Sequence, residues 1–137
     1  MAASNSPRIL IVEDNEANRN LLVEALELFG YRAQTAVDGL DALTKVAESQ
    51  FDLIVMDCRM PGLDGLETTR RIRDMEHDLA RPGPRSSIVA LTANAMAGDR
   101  ERCLAAGMDE YMAKPFDLLE LRSMVERLAG PGTTNGQ

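Results

Sequence analysis

The chain has 137 residues, 45% of them hydrophobic and 27% charged, which suits one soluble globular domain with a real core. A formal net charge of -7 argues against a direct nucleic-acid binder, which needs a basic face. No apolar run approaches the length of a membrane span, and Met1 to Pro7 lacks the apolar stretch of a secretory leader, so the sequence points to a cytoplasmic protein.

In chain order, Arg8 to Val12 is a short continuous apolar run that predicts a buried strand, ended by Glu13-Asp14-Asn15. A helix follows, with Leu21, Leu22, Ala25, Leu28 and Phe29 as its apolar stripe and Gly30 as its stop. Tyr31 to Ala36 carries polar residues and predicts a weaker strand nearer a sheet edge. Asp38 caps the next helix, whose stripe is Leu40, Leu43, Val46 and Ala47. Phe51 to Met56 is the most continuous apolar run. It predicts a strand buried on both faces, with Asp57 at its carboxyl end and a Pro61-Gly62 turn soon after.

Asp64 caps a third helix, with Glu67 three residues on and Leu66, Ile72 and Met75 turned inward. His77 to Ser86 contains two prolines and reads as a long surface linker, with the single His77 exposed. Ser87 to Leu91 is the fourth strand, ending at Thr92. Ala95 to Ala106 is a helix stopped by Gly107, and Met108 to Ala113 is a short strand ending at Lys114-Pro115. Asp117 to Glu120 forms a capping box for a last helix with Leu118, Leu121, Val125 and Leu128 as its stripe. The domain should span residues 8–129, with disordered tails at 1–7 and 130–137.

Five strand–helix pairs in alternation imply an α/β fold: a doubly wound five-stranded parallel sheet of order 2-1-3-4-5. Ligands of such sheets bind beyond the carboxyl ends of the strands, where strands 1 and 3 part. The predicted strands deliver Glu13, Asp14, Asp57, Thr92 and Lys114 to that edge. Each has a local explanation, such as a turn or a helix start, but those explanations would have to coincide at four strand ends. Lys114 is one of only two lysines beside 13 arginines. Three neighbouring carboxylates call for a hard divalent cation, and Mg²⁺ takes such oxygen ligands. A carboxylate can act as a nucleophile and form an aspartyl-phosphate, with Lys114 and Thr92 facing the phosphoryl oxygens and the Arg59 carbonyl as a further metal ligand. Cys58 and Cys103 lack metal-ligand spacing and read as buried, reduced thiols, Cys58 disfavoured as a thiolate by its acidic neighbours.

The acidic pair Glu13-Asp14, the block Met56-Asp57 with Met60-Pro61-Gly62, Leu91-Thr92-Ala93 and Lys114-Pro115 together resemble the receiver domain of two-component response regulators. The likeness covers about residues 8 to 129. It implies that Asp57 accepts the phosphoryl group, that Glu13, Asp14, Asp57 and the Arg59 carbonyl hold Mg²⁺, and that Thr92 and Lys114 contact the phosphate. It further implies a cis junction at Pro115 and a switch in which Thr92 moves toward the phosphate while Tyr111 turns inward. Glu13 stands where an Asp is often found. The stretches Val12 to Arg19 and Leu91 to Met96 are similar to receivers of hybrid histidine kinases. That implies a histidine kinase or a histidine phosphotransfer protein as partner, with the chain either part of such a kinase or a free-standing regulator. Beyond catalysing its own phosphorylation and slow dephosphorylation, such a domain is not an enzyme in the ordinary sense. A phosphorylation-independent interaction module and a Mg²⁺-dependent phosphohydrolase stay open as other readings, and the sequence does not fix the oligomeric state.

Overall fold

Parallel strands buried on both faces read as unbroken apolar runs, because helices cover each side of the sheet. The computed structural model describes residues 7–60, 62–79, 85–93 and 97–130. Its elements are β1 (Ile9–Val12), α1 (Glu16–Leu28), β2 (Ala33–Ala36), α2 (Gly39–Glu48), β3 (Leu53–Asp57), α3 (Gly65–Leu79), β4 (Ser87–Thr92), α4 (Ala97–Ala106), β5 (Glu110–Ala113) and α5 (Leu118–Ala129). All five strands are parallel in the order β2-β1-β3-β4-β5, as expected. The outer part of each tail, residues 1–6 and 131–137, lies outside the described residues, as do Pro61, the centre of the 77–86 linker, and residues 94–96 at the expected start of the fourth helix. No helix among the described residues is long and apolar enough to cross a membrane.

The two-residue period of the strands divides the core. Ile9, Ile11, Leu53, Val55, Val89, Leu91 and Met112 pack with Leu22 and Leu26 of α1 and Leu121 and Val125 of α5. Leu10, Val12, Ile54, Met56, Ile88 and Ala90 pack on the opposite side, with Val46 of α2, Ile72 of α3 and Cys103 of α4. The same alternation runs to the strand ends and just past them. Glu13, Asp57 and Lys114 continue the α1/α5 series, whereas Cys58, Thr92 and Tyr111 continue the series facing α2, α3 and α4.

The helix boundaries follow from local chemistry. Asn15, Asp38, Asp64 and Asp117 each accept a backbone N–H of the turn that follows, so the N-termini of α1, α2, α3 and α5 are capped. At the end of α1, Gly30 N–H donates to Glu27 O and Tyr31 N–H to Leu26 O, with Gly30 at φ 90°. That double bond closes the helix and drives Tyr31 into the core beside Leu26.

Several expectations are corrected. Leu21, Leu28, Leu40, Ala47 and Leu118 were expected on buried stripes, but all five are exposed, Leu28 to 75%. Leu26, Ala42 and Met124 take the inward positions instead. α3 also runs past His77 to Leu79. Glu76 accepts Ser86 N–H and pairs with Arg73, whose guanidinium reaches Ser86 O and Gly107 O, so this last turn is anchored across the base of the sheet. Gly130, expected in a disordered tail, has its carbonyl bonded by the Tyr31 hydroxyl at 2.7 Å.

Gly65 starts α3 directly against the end of β3. A Cβ there would collide with the Asp57 carbonyl oxygen and stand 2.9 Å from Cys58 Cα. Gly65→Ala should therefore destabilise the domain by roughly 1–3 kcal/mol in urea unfolding. Gly98→Ala, whose added carbon would meet nothing within 4 Å, should be neutral or slightly stabilising.

Candidate functional site

The carboxyl ends of the strands bring the charged residues together. Asn15, not an acid, caps α1, which leaves Glu13 and Asp14 without the helix-start role that could have explained them. Glu13 is 1% exposed and Asp57 3%, while Asp14 is exposed. One carboxylate oxygen from each of the three lies within 4.8 Å of the other two. Lys114 Nζ is 3.1 Å from Asp57 Oδ1 and 3.6 Å from Glu13 Oε1. The structure thus joins β1, β3 and β5 through one cluster of three acids and one ammonium.

Backbone groups fix each member. Glu13 N–H donates to Ala36 O, and its Oε2 accepts Asn15 N–H at 3.1 Å. Arg19 of α1 donates to the Glu13 carbonyl at 2.9 Å. Asp57 Oδ1 accepts Arg59 N–H at 3.1 Å, so the chain curls around the carboxylate at once. Lys114 N–H donates to Thr92 O, tying β5 to the end of β4, and the Lys114-Pro115 peptide bond is cis. Thr92 is buried on the α4 side. Tyr111 is half-buried against the same side, with the Arg100 guanidinium 5.8 Å from its ring centroid. Of the predicted site residues, Glu13, Asp14, Asp57 and Lys114 form one contact group, whereas Thr92 and Tyr111 flank it across the sheet.

The charge balance of the cluster is unfavourable for its acids. Burial raises the pKa of Glu13 from 4.5 to about 7, and the adjacent Asp57 adds to the rise against the lowering effects of Asn15 N–H and Lys114. For Lys114, burial acts to lower the pKa, but Asp57 and Glu13 outweigh it and hold the ammonium charged. Glu13 Oε1 is buried with no hydrogen-bond donor among the described residues. A buried orphan oxygen beside two further carboxylates is a donor set suited to a hard cation. Arg59 lies two residues beyond Asp57 with its side chain exposed.

Two clefts flank the cluster. One of about 390 Å³ lies between α1 and α5, lined by Glu13 and Lys114 together with Leu21, Phe116 and Leu118. The other, about 540 Å³, opens on the α3/α4 side beside Cys58, Thr92 and Cys103. Cys103 is buried as expected, but Cys58 is only half-buried, because it faces this cleft.

Comparison with known proteins agrees with the geometry. The family model for the response regulator receiver domain matches residues 9–126. The chain belongs to the response regulator receiver family. This receiver domain is 39% identical over 133 residues to the sensor histidine kinase GacS of Pseudomonas protegens, covering 97% of this chain and 14% of that protein. It is 44% identical, with a TM-score of 0.79, to the receiver domain of the sensor histidine kinase PA1611 of Pseudomonas aeruginosa PAO1, covering 90% of this chain and 97% of the other. That structure holds a magnesium ion coordinated in the active-site cleft. A co-crystal structure of the Saccharomyces cerevisiae phosphotransfer protein Ypd1 with the receiver domain of Ssk1 matches at 31% identity and a TM-score of 0.85, covering 90% of this chain and 89% of the other. The receiver spans 14% or less of the length of the first three curated relatives.

The raised Glu13 pKa sets a pH dependence for the metal-free receiver. Between about 4.5 and 7 the folded state holds more protons than the unfolded chain, so stability is full below that window and falls as pH rises through it. Urea unfolding in the presence of a chelator should show this fall, and Glu13→Gln should flatten it.

Proposed function

We propose that this receiver takes a phosphoryl group from a phosphohistidine onto Asp57, and either switches conformation or passes the group to a histidine phosphotransfer protein. The observation that carries this reading is the Asp57 carboxylate, 3% exposed yet paired at 3.1 Å with the Lys114 ammonium beside two further acids. In the transfer an Asp57 carboxylate oxygen attacks phosphorus, the P–N bond to the donor ring breaks, and that ring, protonated on its other nitrogen, leaves as neutral imidazole. Asp57 is then an acyl phosphate, and the reverse step hands the group to the next histidine.

Each neighbour has work in that step. Lys114 balances charge on the phosphoryl oxygens as they approach, and the Thr92 hydroxyl donates to one of them. Glu13, Asp14, Asp57 and the Arg59 carbonyl would hold Mg²⁺, which when bound supplies positive charge to the phosphoryl oxygens. The long, buried Glu13 side chain and the exposed Asp14 suit this arrangement, because one donor comes from inside the fold and one from its rim. Movement of Thr92 toward the phosphate opens room for Tyr111 on the same side of the sheet, and this is the switch we assign.

A protein donor suits the surroundings. Exposed Leu21 and Leu118 border the cleft that contains Lys114, so a partner finds apolar surface beside the acceptor. We read residues 8–129 as the domain, working in the cytoplasm as part of a hybrid histidine kinase or as a free-standing regulator.

Acetyl phosphate with Mg²⁺ should label the protein at Asp57, and a chelator should stop the reaction. Asp57→Asn should abolish labelling, and Lys114→Ala should slow it by roughly 10²-fold. Labelling of Asp57→Asn at the wild-type rate would sink the assignment.

A further inference from the structure

The thiol that follows Asp57 has no part in phosphoryl transfer, yet it is placed against a second one. Cys58 Sγ and Cys103 Sγ lie 3.7 Å apart, although 45 positions separate them in the chain. Neither cysteine is in a disulfide. Cys58 sits at the carboxyl end of β3 and Cys103 on α4, so the pair bridges two separate elements on the α3/α4 side of the sheet. Cys58 is half-buried and both thiols line the 540 Å³ cleft, together with Arg59, Met60, Thr92 and Arg102. A small oxidant entering that cleft meets Cys58 first, because Cys103 is buried.

We propose that Cys58 and Cys103 form a reversible intramolecular disulfide on exposure to a hydroperoxide, and that closing it slows phosphoryl acceptance at the neighbouring site. The chemistry balances with hydrogen peroxide as oxidant. The Cys58 sulfur attacks one peroxide oxygen, the O–O bond breaks, and the departing hydroxide takes the thiol proton to become water. Cys58 is then a sulfenic acid. Cys103 sulfur attacks Cys58 sulfur, the S–O bond breaks, and the hydroxyl leaves as a second water with the Cys103 proton. Two thiols lose two electrons, and one peroxide becomes two waters. The acidic neighbours of Cys58 slow the first step. The resolving sulfur at contact distance makes the second step intramolecular, which favours the disulfide over further oxidation.

The coupling to function follows from what holds Cys58. A disulfide needs its sulfurs about 2.05 Å apart, so the pair must close by roughly 1.6 Å. Cys58 N–H donates to Leu91 O, and its carbonyl accepts Gly65 N–H, so its backbone is pinned on both sides. Closure turns the two side chains and draws α4 toward the end of β3, beside Asp57 and Arg59. Displacements near 1 Å at a reacting centre cost up to about 10²-fold in rate. The thiol pairing stands on geometry alone, while its effect on acceptance rests on Asp57 being the phosphoacceptor.

The test treats the whole chain with hydrogen peroxide, then counts thiols, measures intact mass and records acetyl phosphate labelling. The expected result is a monomer with both thiols lost and labelling reduced about tenfold or more, with dithiothreitol restoring thiols and rate together. Cys103→Ala should be labelled as the reduced wild type is, and should lose its sensitivity to peroxide. Wild-type reversal by dithiothreitol decides the matter even if that variant folds poorly. Disulfide-linked dimers, oxygen-adding overoxidation without loss of both thiols, or unchanged labelling of the oxidised monomer would each overturn the proposal. Absence of labelling in the reduced protein would instead overturn the phosphoacceptor reading, while the thiol count still settles the disulfide.

Discussion

The structure depends on holding negative charges together where they repel. Glu13 and Asp57 are both almost fully buried, Asp14 stands beside them, and a single lysine faces all this charge. Water cannot screen the inner pair, and burial penalises each ionised carboxylate. Rigid strands supply the restraint. β1 and β3 are adjacent in the sheet, paired from Ile9 with Leu53 to Val12 with Met56, so the two acids cannot drift apart without breaking a ladder. Backbone N–H groups of Asn15 and Arg59 each satisfy one carboxylate oxygen, which leaves Glu13 Oε1 with no hydrogen-bond donor among the described residues and the Lys114 ammonium 3.6 Å away. The site therefore carries an electrostatic cost, and the fold bears it through its apolar core.

Strand ends were the legible part of the sequence. A strand buried on both faces is an uninterrupted apolar run, so its first charged residue marks both where it stops and what it presents. Glu13, Asp57, Thr92 and Lys114 could all be placed this way, and the order of a doubly wound sheet then brought them to one edge. Helix faces were harder to read. Leu21 and Leu22 are adjacent and both apolar, as are Leu118 and Leu119, so the sequence pattern admits more than one rotation of the helix. Packing against a neighbouring layer decides between them, and it chose Leu22 and Leu26 on α1 and Leu121, Met124 and Val125 on α5. The end of α3 is hard to read because the prolines farther along the 77–86 stretch point to a loop from His77 onward. What retains His77 and Asp78 in a helix is the contact of Arg73 and Glu76 with Ser86, which no local pattern encodes. The meeting of Cys58 with Cys103 is likewise a tertiary fact, set by α4 lying over the end of β3.

The sheet also separates two kinds of work. Glu13, Asp57 and Lys114 share the parity of residues that pack on α1 and α5, and Thr92, Tyr111 and Cys58 share the parity of residues that pack on α2, α3 and α4. The acids and the lysine gather on one side of a single layer of backbone, and Thr92, Tyr111 and Cys58 gather on the other. The path between them is short. Asp57 pairs in register with Leu91, one residue before Thr92, and Cys58 is the very next residue after Asp57.

This alternation limits how such a chain can vary over generations. Loss or gain of one residue within β3 would exchange the sides on which Asp57 and Cys58 emerge, turning an acid toward α4 and a thiol toward the lysine. The same holds for Glu13 after β1 and Lys114 after β5. Insertion or deletion of a single residue in the strands that end in the cluster would thereby take the cluster apart, whatever its effect on stability. Length change can be accommodated instead in connections at the opposite end of the strands, remote from this edge.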